Sequence, residues 1–212
     1  MTLREQYDAQ LYQIQADMVR MGSLVNDMVR CAVDATVHGD SDLAAKVLKS
    51  DDDVDRLEQE LIQSAVHAML RESPVAQDLR LLVSALGVVG EIEKAGDDAV
   101  KLARRATKLT GHFPAEMKLA LNELGEEARR VFSSAIKLCS EYDSELANQV
   151  IRADKDIDSH YVQARDRIIE ILRKDPTEAE HLVRSIEAFH ALEHLADHAV
   201  EIARRLKVHH ES

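Results

Sequence analysis

Apolar residues recur every three or four positions along most of the chain, a spacing that places them on one face of a helix. One stripe comprises Leu43, Val47, Val54, Leu57, Leu61 and Ala65. A second comprises Leu146, Val150, Ile157, Tyr161, Ala164 and Ile168. This spacing is typical of helices that pack nearly parallel to one another. The hydrophobic pattern therefore predicts a bundle of amphipathic helices.

Turn-forming residues separate the periodic segments into six predicted helices. Gly39–Ser41 divides a first helix, over 5–38, from a second, over 42–71, and Tyr142–Ser144 mirrors that turn later in the chain. We expect helices of about 30 residues, hence roughly 45 Å long, from the rise per residue. Short turns between long helices force neighbours to run antiparallel.

Capping signals mark other helix ends. Ser73 suits the N-cap of a third helix, with Pro74 at its first position. The segment Gly111–Pro114 closes that helix and divides the chain into halves. Asp175 is placed as the N-cap of a sixth helix, and Glu178 has the spacing of a capping box.

The chain contains an internal duplication. The segment Leu48–Asp55 recurs as Ile151–Asp158, 103 positions later. Glu93–Val100 recurs as Glu193–Val200, 100 positions later. Repeats of this length indicate a duplicated supersecondary unit.

Composition and duplication together define the predicted fold. With only 7 Gly and 3 Pro, the chain lacks the turn residues that an all-β protein needs, and with 3% aromatic residues its core must be aliphatic. We predict an all-α fold of two tandem three-helix bundles, built from six long antiparallel helices. The predicted domains span 1–110 and 115–210.

Charge and cysteine content narrow the class of protein. A formal net charge of −12 argues against nucleic acid as a partner and favours cations, including metal ions. Cys31 and Cys139 do not correspond in the repeat and are expected to be reduced thiols. Met1–Gln6 has no apolar signal core, and Leu81–Gly90 is half a membrane span. We expect a soluble cytoplasmic protein that reaches membranes only through partners.

Carboxylates interrupt the apolar stripes at matching places in both repeats. Asp51 stands between Val47 and Val54, where an apolar residue is due, and Asp154 has the same place in the second repeat. The carboxylates of this kind are Asp51, Asp55, Glu93 and Asp97 in the first repeat and Asp154, Asp158, Glu193 and Asp197 in the second. The i,i+4 spacing puts each pair on one helix face.

Uncompensated carboxylates beside a core are costly, and like charges nearby raise that cost. Few basic residues lie beside these positions in sequence, and Lys94 and Lys155 are among the nearest. A multivalent cation would neutralise such clusters, because carboxylate oxygens are hard ligands. The eight residues are therefore predicted metal ligands, with the ion left open among Fe, Mn, Zn, Mg and Ca. The alternative is a metal-free polar seam salt-bridged to arginine.

Two segments carry a family resemblance. The proline-led run Pro74–Arg80, which ends in Asp-Leu-Arg, and the motif Glu91–Asp97 together resemble the bacterial PhoU family of phosphate-signalling regulators. Lys94 and Ala95 stand where the family motif usually has Arg and Ile. Both repeats of the chain align with the two repeats of that family.

The resemblance implies two three-helix bundles, a homodimer, and metal ions bound at Glu/Asp-x-x-x-Asp motifs. It implies a regulator and not an enzyme. The expected role is negative regulation of phosphate uptake and of the phosphate-starvation response. The expected partners are a phosphate ABC transporter and the membrane sensor histidine kinase of a two-component system.

Three rival interpretations remain at this point. The segment His190–His194 matches the H-x-x-E-H pattern of inverted zinc peptidases. Glu178–His181 and Glu187–His190 are both Glu-x-x-His, as in di-iron carboxylate bundles, although such sites need two helices. A helical scaffold without metal is the third. The paired arginines at 104–105 and 204–205 suit helix C-termini or an acidic partner.

Overall fold

The computed structural model describes residues 3–71 and 76–211, and these residues form six α-helices. The helices are α1 (Leu3–His38), α2 (Ser41–Arg71), α3 (Ala76–Leu109), α4 (Lys118–Lys137), α5 (Ser144–Lys174) and α6 (Ala179–Glu211). Short 3₁₀ turns, Ala115–Met117 and Pro176–Glu178, precede α4 and α6. The predicted all-α fold of two tandem three-helix bundles is confirmed.

Four helices form a closed inner ring. Helix α1 packs against α3, α3 against α6, α6 against α4, and α4 against α1. Helix α2 covers α1 and α3 from outside, and α5 covers α6 and α4 in the same way. Helices α3 and α6 run antiparallel, since Arg205 approaches Gly87 at one end of the pair and Arg105 contacts Glu187 at the other.

The two repeats share one aliphatic core. Its buried residues come from all six helices, and Phe132 and Phe189 are among its largest fully buried side chains. Cys31 and Cys139 are both buried and free, as predicted, and burial raises the pKa of the Cys139 thiol to about 12. The domain boundaries at 110 and 115 stay a prediction. None of the described helices is long and apolar enough to cross a bilayer.

The mirrored turns between helices carry matching caps. The Asp40 side chain accepts hydrogen bonds from the backbone of Asp42 and Leu43, at 2.9 and 3.0 Å. The Asp143 side chain accepts one from the backbone N–H of Leu146 at 2.8 Å. Gly39 has φ +70°, a left-handed conformation that glycine adopts without steric cost.

Two details of the predicted helices are wrong. Helix α4 has 20 residues, so it is shorter than the expected length of about 30. A 3₁₀ turn takes up its start, and turns over 138–141 end it without a glycine or proline. Asp175 does cap, accepting from the backbone N–H of Thr177, but Glu178 makes no capping box because its carboxylate faces His112. The predicted cap at Ser73–Pro74 lies outside the described residues.

Candidate metal centre

The second repeat brings three of its predicted ligands together between α5 and α6. Asp154 and Asp158 lie one turn apart on α5, and Asp197 faces them from α6. One carboxylate oxygen from each lies within 4.8 Å of the others. Burial raises the pKa of Asp197, and the negative charges of Asp154 and Asp158 raise it further. The three side chains therefore repel one another unless a proton or cation is shared among them.

Glu193 lies one turn before Asp197 on the same side of α6. Burial and the charge of Asp197 raise the pKa of its carboxyl. Its Oε2 atom is buried and has no hydrogen-bond partner among the described residues. His190 Nε2 and His194 Nε2 are 3.7 and 4.0 Å from that oxygen. A buried anionic oxygen without a donor is costly, which suits an atom that binds a ligand.

The first repeat has the same residues in a looser arrangement. Burial, followed by the charge of Asp55, raises the pKa of Asp51. Burial, followed by the charge of Asp97, raises the pKa of Glu93, to which Glu58, Asp55 and Asp51 contribute. In the described parts of the chain, these acids do not form a group of three within 4.8 Å of one another. The first cluster is electrostatically coupled but more open than the second.

The predicted ligands lie at the rim of the outer helix interfaces. Asp51, Glu93, Asp154 and Glu193 are half-buried, and the other four are exposed. We expected these acids on the core-facing stripe of their helices. The structure places them less deeply than that, and the four exposed ones lie outside the core. The adjoining Val54 and Ile157 fill the core, at 1% and 0% exposure, and the carboxylates lie beside them at the edge.

Lysine and arginine side chains act on these clusters only at longer range, as Arg104 does on Asp51. Over residues 3–71 and 76–211, no Lys or Arg nitrogen lies within 4 Å of a carboxylate oxygen of the eight acids. Lys94, the neighbour in sequence of Glu93, pairs with Glu91 instead, at 3.2 Å. The alternative of an arginine-bridged seam has no such ion pair in the described structure. Clustered carboxylates that lack cations fit hard divalent ions.

In the described part of the chain, the structure brings together the residues of the zinc-peptidase pattern but not those of a di-iron site. His190, Glu193 and His194 do bring ligand atoms within 4.8 Å, so the H-x-x-E-H pattern is realised in space. Of the two Glu-x-x-His motifs, Glu187 pairs with Arg105 at 2.9 Å. Within the described residues Glu187 belongs to no group of three ligand atoms within 4.8 Å of one another, so the structure offers no di-iron arrangement that joins it to His190.

A buried ionic network between α3 and α6 was not predicted. Glu91 and Asp98, at 5% and 4% exposure, both contact the ring of His198, at 2.9 Å to Nδ1 and 3.3 Å to Nε2. Lys94 and Arg205 also contact Glu91, each between 3 and 4 Å. Burial opposes a charged His198, but the two carboxylates outweigh it and raise its pKa.

A sequence signal for this network exists. Glu91 and Asp98 are seven residues apart, two helical turns, and therefore share a face of α3. Glu91 and Asp98 lie among the apolar residues Val88, Ile92 and Ala95, which are buried. This neighbourhood indicates that the same face of α3 packs against another helix.

Comparison with known proteins adds independent information. A family model described as PhoU domain matches residues 18–106 and 121–206. Two curated relatives, from Pseudomonas putida and Pseudomonas aeruginosa, are each named phosphate-specific transport system accessory protein PhoU homolog. Each is 31% identical over 203 residues, covering 95% of this chain and 79% and 84% of the respective relative.

Solved structures agree with the sequence matches. The crystal structure of PhoU from Pseudomonas aeruginosa has a TM-score of 0.92 at 29% identity, covering 96% of this chain and 98% of that one. A PhoU crystal structure from Streptococcus pneumoniae has a TM-score of 0.88 at 20% identity and supports the fold alone. The two matched segments contain all eight predicted ligands, four in each.

Proposed function

Because the chain belongs to the PhoU family, we propose that it is a phosphate transport accessory protein that negatively regulates phosphate uptake and the phosphate-starvation response. The curated relatives are named as accessory proteins of a transport system and not as enzymes. These names agree with the expectation of a non-enzymatic regulator. The single observation that carries the proposal is the match of both repeats to the PhoU domain.

The proposed mechanism is coupling between two membrane proteins. The chain would contact a phosphate ABC transporter and a membrane sensor histidine kinase, and would keep the kinase inactive while phosphate is plentiful. Its location would be cytoplasmic, and it would act as a homodimer. Family membership and the names of the relatives support the association with a phosphate transport system, and the kinase, the homodimer and the location are further parts of our proposal.

Metal binding at the paired carboxylates is the second part of the proposal. Asp154, Asp158 and Asp197 would hold an ion in the second repeat, with Glu193 beside them. A bound divalent cation would supply the positive charge that the clusters lack. The carboxylates would then hold α5 against α6, and the equivalent acids would hold α2 against α3. This would fix the outer helices α2 and α5 against the inner four.

A genetic experiment tests the regulatory role. Deleting the gene should raise expression of phosphate-scavenging genes in phosphate-rich medium, and the wild-type gene should restore repression. Unchanged expression after deletion would contradict the proposal. A PhoU-family protein that regulates a different transporter would give that result.

A matched allele tests whether the acid clusters take part. Glu193→Gln with Asp197→Asn removes two charges at the α5/α6 rim with little change in volume. Glu145→Gln with Glu170→Gln removes two exposed charges elsewhere on α5. We expect the first pair to fail in restoring repression at normal protein levels and the second pair to restore it. Equal restoration by both would separate regulation from metal binding.

A further inference from the structure

A second type of ligand cluster lies where the chain passes from the first repeat to the second. It consists of His112, Glu178 and His181, each with one ligand atom within 4.8 Å of the others. His112 comes from the connection between α3 and α4, Glu178 from the 3₁₀ turn before α6, and His181 from the first turn of α6. The cluster shares no residue with the carboxylate clusters.

The connection holds His112 in place through its neighbours. Gly111 takes φ +79°, which allows the chain to reverse after α3. The backbone N–H groups of His112 and Phe113 both donate to the carbonyl of Leu109, at 2.8 and 3.1 Å. Phe113 is buried against Phe189, with ring centroids 6.4 Å apart. The backbone that carries His112 is therefore anchored on α3 and α6.

The other two ligands are placed by the start of α6. Asp175 caps the 3₁₀ turn through hydrogen bonds to the backbone N–H and the hydroxyl of Thr177, which sets the turn that carries Glu178. His181 is half-buried, and its Nδ1 atom is buried with no hydrogen-bond partner in the described structure. No competing hydrogen bond therefore turns the His181 ring away from Glu178.

The interatomic distances suit a single small ion. Glu178 Oε2 lies 3.3 Å from His112 Nδ1 and 3.8 Å from His181 Nε2. The two imidazole rings stack with centroids 3.9 Å apart and an interplanar angle of 7°. Ligands at zinc bond lengths of about 2.0–2.1 Å in a tetrahedron lie about 3.3 Å apart. A zinc ion would require the stacked rings to turn apart so that their nitrogens converge on it together with the Glu178 oxygen.

The donor set also selects among ions. Two imidazole nitrogens and one carboxylate oxygen suit zinc, whereas magnesium and calcium prefer oxygen ligands alone. We propose that His112, Glu178 and His181 form a zinc-binding site that ties the connection between the repeats to the start of α6. The remaining coordination position faces solvent, since His112 and Glu178 are about half exposed, and water would fill it.

Zinc titration of the full chain tests the site. The background variant is His190→Gln with His194→Gln, because those histidines form another group with Glu193. The metal-free protein is titrated with Zn²⁺ against a chromophoric chelator in excess Mg²⁺, which occupies the carboxylate clusters. Side-chain imidazole resonances are followed by nitrogen NMR in the same samples. We expect one zinc equivalent to bind and the signals of His112 and His181 to shift together.

Three variants separate a zinc site from a simple ion-pair network. His112→Phe and His181→Phe keep a ring but remove a nitrogen ligand, and Glu178→Gln makes a smaller, exposed change. Each should weaken zinc binding by at least about tenfold, on the scale of changes around metal sites. The control His67→Phe, at an exposed position on α2, should leave binding unchanged.

Three results would overturn the proposal. One is equal zinc affinity in all four variants. Another is zinc-induced shifts confined to histidines outside the site. The third is displacement of the zinc by the excess Mg²⁺. Glu178→Gln keeps the test decisive if a phenylalanine variant fails to fold. The outcome is independent of the regulatory proposal, which concerns different residues.

Discussion

Helix α3 carries two pairs of carboxylates that meet opposite electrostatic surroundings. Glu91 and Asp98 face α6, are almost fully buried, and contact His198 together with lysine and arginine side chains. Glu93 and Asp97 lie at the rim against α2, and no lysine or arginine nitrogen within the described chain lies within 4 Å of them. Each pair consists of one glutamate and one aspartate on the same helix. The fold buries one pair beside basic side chains and leaves the other at the rim without an ion pair to lysine or arginine in the described structure.

The two pairs of carboxylates also differ in the direction of their pKa shifts. Around Glu91 and Asp98, hydrogen bonds to cations overcome the effect of burial and lower the pKa of both groups. Around Glu93, burial and neighbouring acids raise the pKa of the carboxyl. The first pair is neutralised by the protein itself. The second pair, like its counterpart Glu193 and Asp197, has no such ion pair with lysine or arginine in the described structure, which is why we propose that it binds a cation from solution.

The largest expected effect comes from removing the cation of the buried pair. His198→Phe keeps the ring but deprives Glu91 and Asp98 of their shared donor, and we expect a loss of about 3 kcal/mol in the free energy of unfolding. Urea denaturation measures it. The control His67→Phe, at an exposed position on α2 away from this network, should lose less than about 0.5 kcal/mol. Equal small losses would show that the network is not structural.

The uncompensated acids should behave in the opposite way. In metal-free protein, Glu193→Gln with Asp197→Asn removes repulsion and should leave stability unchanged or raise it by about 0.5 kcal/mol. The same variant should bind Mn²⁺ or Mg²⁺ about a hundredfold more weakly than the wild type, since it loses two charged ligands. Isothermal titration calorimetry measures the affinity. Retained affinity would remove these residues from the site.

The two acid clusters should also differ from each other. Three carboxylates of the second repeat lie within 4.8 Å, whereas those of the first do not form such a group in the described structure. We expect the second cluster to bind a divalent ion about tenfold more tightly, a difference of 1.4 kcal/mol. Titrations of Asp51→Asn with Asp97→Asn, and of Asp154→Asn with Asp197→Asn, compare the cluster that each variant leaves intact. Identical affinities would contradict the geometric distinction.

The stability of the metal-free protein should fall as pH rises through the pKa values of these acids, and a bound divalent ion should offset that fall. Groups with a raised folded pKa, such as Glu193 and Asp197, contribute stability below their ordinary values of 4.5 and 3.8. That contribution is lost as pH rises through their higher folded pKa values. Metal-free protein should therefore gain about 2–4 °C in Tm from added divalent ion near neutral pH, and almost nothing at acid pH. Thermal scans measure both, and a constant gain would count against the prediction.

The helices and their turns could be predicted from the sequence. The spacing of apolar residues gave helices over 5–38 and 42–71, and the structure has Leu3–His38 and Ser41–Arg71. Asp40 and Asp143 cap the two mirrored turns because their short carboxylates reach free backbone N–H groups. The end of α4 was missed, since no glycine or proline marks it.

The sequence indicated that Asp154, Asp158 and Asp197 lie together, but not how far each side chain is buried. Repetition and i,i+4 spacing select the acids, yet helical periodicity cannot distinguish a core position from a rim position one residue further round the helix. The sequence also did not indicate which distant segments contact each other. His198 meets Glu91 and Asp98 across α3 and α6, and Glu178 meets His112 across a gap of 66 residues. Such pairs depend on how helices pack, which a single sequence does not specify.

The most direct test is a crystal structure of the full chain grown with a divalent manganese salt, with anomalous scattering used to locate the ions. Our account predicts manganese between α5 and α6 with oxygens of Asp154, Asp158 and Asp197 as ligands, and a weaker peak at the α2/α3 rim. It would be contradicted by empty rims at high manganese concentration, with the carboxylates directed into water or bound to arginine.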